Sequence, residues 1–200
     1  MFRFERHGLP VPRYDLQLWE NGMGQYRGEE MPRTVGHADT PPSPQPFPLE
    51  SFHVSPATVT KVYALARSLN HFNISCASTA KNVADTGDKD LAYTVENGGV
   101  IGYCDYNYSE NKDVLTLTAL LQGIAETLDE GRKLDYLHRF DRLGLDAEME
   151  SFSREVADGR AIELQVIAET LRSLAGDPDV MQRVRTRANA LLTLLPAQTR

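Results

Sequence analysis

The apolar residues of this chain change period near residue 110. Before that point they mostly alternate; after it they recur every three or four positions. Alternation marks strands with one buried face, and the longer period marks helices with one buried stripe. A chain that places its strands first and its helices afterwards does not interleave helices with parallel strands. The order predicts an α+β fold: an antiparallel sheet built from two hairpins with one packed helix, followed by an all-helical C-terminal region. It divides the chain into a sheet domain over 1–110, with a proline-rich insert at 30–48, and a helical region over 111–200 packed on it or following it.

Two Asn-Gly pairs set the hairpins. Asn97-Gly98-Gly99 interrupts an alternating run over 88–108, with Leu91, Tyr93 and Val95 before the break and Ile101 and Tyr103 after it. Asn21-Gly22 follows Tyr14, Leu16 and Leu18 and precedes a returning segment over 24–28. Asn-Gly accepts positive φ, which gives the turn the twist that paired strands require. Residues 2–6 and 49–54 add two short strand candidates. Between them, prolines 32, 41, 42, 44, 46 and 48 remove amide donors and exclude a helix or a central strand. That stretch is expected to be an extended surface arm.

Ser55-Pro56 reads as a helix start, with serine as the cap and proline in the first turn. Val59, Val62, Tyr63, Ala66 and Leu69 then recur at helical spacing, and the helix is expected to end near Asn70. Beyond residue 111 four stripes follow: Leu117 to Leu128, Leu134 to Leu143, Leu145 to Val156 and Ile162 to Leu174. Asp177-Pro178 is expected to cap a last helix carrying Val180, Val184, Ala188, Leu191 and Leu195. The octapeptide over 121–128 returns with one change over 164–171, a spacing of 43. Either an old duplication or two helices drawing on the same good helix formers accounts for it.

Composition narrows function by exclusion. The net charge is −7, divided as −4 over 1–110 and −3 over 111–200, with no basic stripe to neutralise phosphates. Nucleic acid is therefore not an expected partner. No apolar run approaches the ~20 residues of a membrane span. No leader-like segment opens the chain, so a cytoplasmic location and an extracytoplasmic one with the leader removed both stay open. Cys76 and Cys104, the two cysteines, can be a pair of buried thiols or one bridge; a bridge would favour an extracytoplasmic location.

Chemical motifs are sparse. Asp85-Thr86-Gly87 resembles the triplet of aspartic proteases. That chemistry needs two such carboxylates sharing a proton, and only one copy is present, so a turn is the better reading. Gly22, Gly24 and Gly28 miss the dinucleotide-binding spacing. His7, His37, His53, His71 and His138 show no metal-binding spacing. Asn73-Ile-Ser75 and Asn107-Tyr-Ser109 match a glycosylation sequon short enough to arise by chance. No catalytic, cofactor-binding or metal-binding residue is assigned. The aromatic residues on or beside the hairpins, Trp19, Tyr26, Tyr93, Tyr103, Tyr106 and Tyr108, form the candidate interaction surface, because Tyr and Trp dominate interface hot spots. Cover for the second face of the sheet is the competing reading.

The segment over 3–28, with Phe4-Glu5-Arg6-His7-Gly8, then Tyr14-Asp15-Leu16-Gln17-Leu18-Trp19, Asn21-Gly22 and Tyr26-Arg27-Gly28, resembles a bacterial domain type of unknown function often found in envelope proteins. With the helix and second strand pair, the likeness extends to about residue 108. It implies the sheet fold and an extracytoplasmic setting, and it implies no activity. The proline-rich insert and the helical tail depart from it. The function expected is that of a non-enzymatic binding or structural protein of bacterial type, with a protein partner or a second copy as candidate partners. The alternatives are a hydrolase with a cleft between sheet and helical region, using Asp85 or Asp88 with a histidine, and an inhibitor that inserts the hairpin tip over 96–99 into an enzyme.

Overall fold

A computed structural model describes residues 1–32, 42–95 and 98–195. The chain divides into two compact units, Met1–Leu121 and Gln122–Arg200.

The first unit is a seven-stranded sheet with helical cover. The strands are β1 (Phe2–Glu5), β2 (Arg13–Leu18), β3 (Met23–Glu30), β4 (Gln45–Pro46), β5 (Glu50–His53), β6 (Asp88–Thr94) and β7 (Val100–Tyr106). Their order is β4-β3-β2-β1-β6-β7, with β5 also beside β3, and every pairing is antiparallel. The two expected hairpins, β2-β3 and β6-β7, therefore share one layer. The four-residue β1 joins them, pairing Phe2 with Leu16 on one side and Leu91 on the other.

The pleat sorts the faces. Phe2, Phe4, Tyr14, Leu16, Tyr26, Phe52, Leu91, Cys104 and Tyr106 are buried. Aromatic rings run across the layer from Phe4 to Tyr14 (5.2 Å between centroids), Tyr26 (5.3 Å) and Phe47 (5.3 Å). Such pairs add about 0.5–1.5 kcal/mol each beyond the area they bury. Phe47 lies within the proline-rich stretch, so the arm is pinned there, and its Gln45–Pro46 pairs at the sheet edge with Glu29–Glu30. The expectation for 33–41 lies outside the described residues. On the opposite face, Asp15 pairs with Arg3 (2.8 Å) and Arg27 (3.1 Å), and Arg3 also meets Asp90 (3.9 Å). Opposite charges in register across strands give small favourable terms and keep that face wet.

Helix α1 (Pro56–Ser68) begins as the sequence predicts: Ser55 Oγ accepts the Thr58 N–H at 3.3 Å. It buries Val62 and Ala66 and stops two residues short of Asn70. A short 3-10 turn, Asn70–Phe72, follows. Helix α2 (Lys112–Phe140) is 29 residues long and carries the first helical stripe and the second as far as Phe140; Leu143 lies beyond it, exposed in a turn. Asn111 Oδ1 caps it, accepting from Asp113 N–H at 2.9 Å. Its first turns belong to the sheet unit, burying Val114, Leu117 and Thr118. That moves the division from residue 110 into the helix.

The second unit contains the rest of α2, then α3 (Leu145–Ala157), α4 (Ala168–Gly176) and α5 (Gln182–Leu192). Leu134, Leu145, Met149, Phe152, Leu171, Leu174 and Val184 form its core. Two expectations are corrected here. The fourth stripe is not one helix from Ile162: a 3-10 turn, Leu164–Ile167, precedes α4. Asp177 does not cap the last helix, which begins at Gln182. It closes α4 instead, accepting from Asp179 N–H at 2.9 Å and lying 2.7 Å from His138 Nε2. These hydrogen bonds, with Arg142 nearby, hold its carboxyl below the usual range.

The repeated octapeptide takes two conformations. Residues 121–128 are helix throughout, whereas 164–171 are a 3-10 turn and then helix. Gly123 in the first copy is Val166 in the second. A Cβ at Gly123 would stand 2.8 Å from the Arg160 carbonyl oxygen, so glycine is what lets that strand of backbone approach. The Thr127 hydroxyl then lies 2.7 Å from the Ile162 carbonyl.

Candidate binding cleft

A cleft of about 1180 Å³ opens in the sheet unit, large enough for a small molecule. Phe2, Leu16, Leu91 and Leu117 lie at its floor, all buried. Tyr63 from α1 and Tyr93 from β6 form walls, and Trp19, Glu20, Asn21 and Val95 lie towards solvent.

The tyrosine walls are oriented. The Tyr63 hydroxyl donates to the Leu18 carbonyl at 2.9 Å. Its ring meets that of Tyr93 edge-on, at 86° with centroids 6.1 Å apart. Tyr93 also receives the His71 ring at 4.7 Å and the Phe72 ring at 6.5 Å. Its hydroxyl reaches Glu20 Oε1 only at 3.5 Å. Burial, reinforced by Tyr93 and the Glu20 charge, pushes the Tyr63 phenol up to about 12. Burial and Glu20 also raise Tyr93, against the opposing charge of Arg67. Both phenols therefore stay protonated and able to donate.

One wall is held in an unfavourable backbone. Asn70, His71 and Phe72 have φ of 49°, 54° and 69°, three successive non-glycine residues in the left-handed region. Each such residue costs on the order of 1 kcal/mol or more, and such strain concentrates at functional sites. Three features fix the turn. Phe72 is buried. The His71 carbonyl lies so close over Gly102 that a Cβ there would be 2.0 Å from its oxygen. Four residues after Phe72, a disulfide joins Cys76 to Cys104 of β7, two residues from Gly102, with Cα atoms 5.7 Å apart.

The six aromatic residues of the expected interaction surface divide three ways. Trp19 and Tyr93 line the cleft. Tyr103 and Tyr108 are exposed, and the Tyr103 hydroxyl donates to Asp90 at 3.0 Å. Tyr26 and Tyr106 are buried and cannot belong to a surface: Tyr26 lies between Tyr14 and Phe47, and the Tyr106 hydroxyl meets that of Thr118. Alternation put all six on or beside the hairpins without saying which face α1 and α2 would cover. The sequence reading singled out neither Glu20 nor the His71–Phe72 wall, and it gave Tyr63 only a place on a helical stripe.

The remaining motifs are structural in their contacts. Asp85 Oδ1 accepts the Gly87 N–H at 2.9 Å, forming a turn into β6. Beside it Lys89 is buried, its ammonium donating to the carbonyls of Thr86 (2.9 Å), Gly87 (2.6 Å) and Asn107 (2.8 Å). Burial lowers its pKa to about 8, against the charges of Asp88 and Asp85. Asn107 Oδ1 accepts from the Thr86 N–H at 2.8 Å, so this sequon's amide is engaged; Asn73 of the other sequon is exposed. No three His, Cys, Asp or Glu side chains converge as a metal site among the described residues. No helix among them is long and apolar enough to cross a membrane.

Comparison with protein-family models, with curated proteins and with solved structures gives no match.

Proposed function

We propose that this chain is a non-enzymatic binding protein whose sheet unit seats a small, largely apolar ligand in the cleft between β1, β2, β6 and α1. The observation that carries this is the strained turn at 70–72. It is clamped by Gly102 and the disulfide and presents Phe72 and His71 to the ring of Tyr93. Backbone strain held in place beside a concave site is pre-organisation, which lowers the ordering cost of binding. The disulfide favours an oxidising, extracytoplasmic setting.

The hydrolase alternative asks for a histidine beside Asp85 or Asp88. Among the described residues neither carboxylate hydrogen-bonds a histidine; Asp85 turns back on Gly87. The inhibitor alternative depends on the hairpin tip, whose residues 96 and 97 lie outside the described residues.

Trp19 is the single tryptophan and lines the cleft, so its fluorescence reads occupancy directly. Titration with the neutral probe N-phenyl-1-naphthylamine should give saturable energy transfer from Trp19. Thr94→Phe, at an exposed lining position, should weaken it at least tenfold. Absence of saturable transfer in the intact chain, or transfer indifferent to Thr94→Phe, overturns the proposal.

A further inference from the structure

We infer that the cleft selects ligands carrying an ammonium group, primary or methylated, on an apolar body. The inference rests on the binding reading above and adds the chemistry of the mouth. Glu20 is the only charged side chain among the described lining residues. Among the described residues no ion pair holds it, and its one polar contact there is the long 3.5 Å approach of the Tyr93 hydroxyl. Its charge reaches both Tyr63 and Tyr93, raising both phenols. The carboxylate thus stands beside two ring walls set at 86° to one another, with Trp19 adjacent in sequence and lining the same cleft. Ring faces carry negative potential and attract cations, most strongly when water is excluded. A carboxylate beside a corner of aromatic rings supplies both the charge and the faces that an ammonium group needs. Two cationic groups oppose this among the described residues. Arg67 is exposed on α1 and does not line the cleft. The Met1 α-amino group does line it, donates to the Ala92 carbonyl at 2.8 Å, and is lowered by burial to about 6, which leaves it mostly neutral at pH 7. The chain's net charge of −7 further favours the approach of a cation.

The test uses two probes of one shape: the 3-phenylpropyltrimethylammonium ion, and its uncharged isostere with carbon replacing nitrogen. Both are titrated into the full chain by Trp19 fluorescence and calorimetry. The cation should bind about tenfold more tightly, a difference of about 1.4 kcal/mol. Glu20→Gln should bring the two within about threefold by weakening the cation, and Tyr93→Phe should keep the preference because the ring remains. Equal binding of both probes by the unmodified chain overturns the ammonium inference and leaves the cleft as an apolar site. Binding of neither overturns both. A preference that survives Glu20→Gln removes the carboxylate from its assigned role.

Discussion

Replacing both Cys76 and Cys104 with alanine should destabilise the sheet unit and loosen one wall of the cleft together. The bridge closes a loop across a sequence separation of 28. Loop-closure entropy of −2.1 − 1.5R ln n, with n near 28, amounts to about 12 cal/mol/K, or about 3.6 kcal/mol at room temperature. The bridge also anchors the chain after the left-handed turn at 70–72, so its loss removes one of the three restraints on that strain. Urea denaturation followed by Trp19 fluorescence isolates this unit, because the only tryptophan lies within Met1–Leu121. With an m-value of about 2 kcal/mol/M, the midpoint should fall by about 1.8 M. The reduced unmodified chain should fall by a similar amount. Probe affinity in the cleft should drop under conditions where both proteins remain folded. A midpoint shift below about 0.5 M in both would refute the reasoning, since it would mean the closed loop was already constrained without its bridge.

Lys89→Met leaves the Thr86, Gly87 and Asn107 carbonyls without their donor and should cost about 2–4 kcal/mol at pH 7 in urea denaturation. Because the folded-state pKa of Lys89, about 8, lies below the ordinary lysine value of 10.5, the unfolded chain binds more protons between those values. Stability from this group therefore rises as pH climbs from about 8 to 10.5, and the methionine variant should lack that slope. Gly102→Ala forces a methyl group against the His71 carbonyl and should cost about 3 kcal/mol, with the His71 and Tyr93 ring resonances displaced in NMR spectra. In the helical unit, Glu130 is buried, its Oε1 has no hydrogen-bond partner among the described residues, and burial together with Glu148 raises its pKa. A raised carboxyl stabilises the fold below its unfolded pKa and loses that contribution as pH rises through its folded value. Glu130→Gln should therefore flatten the decline of that unit's thermal stability as pH rises from the ordinary carboxyl range, near 4.5, through neutral pH, read by circular dichroism.

The sheet was legible in the sequence where local chemistry dictates geometry. Asn21-Gly22 turned β2 into β3, and Ser55-Pro56 started α1, because a turn or a cap is decided within four residues. Strand β1 was visible as a candidate, but its position was not: four alternating residues do not reveal that they will lie between two hairpins. The face assignment of the aromatics failed for a related reason. Tyr26 and Tyr103 look equally strand-like, and only the packing of the remaining elements buries one and exposes the other. The octapeptide makes the same point for helices, since nearly identical residues are helix at 121–128 and begin as a 3-10 turn at 164–167.

The amino-acid sequence alone determined the segregation of strands from helices, the turn positions and the net negative charge. Those properties depend on side-chain period, backbone preference and charge, all local or additive along the chain. Tertiary structure decided that Cys76 meets Cys104, that Lys89 lies buried among carbonyls, and that residues 70–72 are forced left-handed beside Tyr93. Each of these brings together groups from separate stretches of the chain, and their free energies arise only when distant segments exclude water between them.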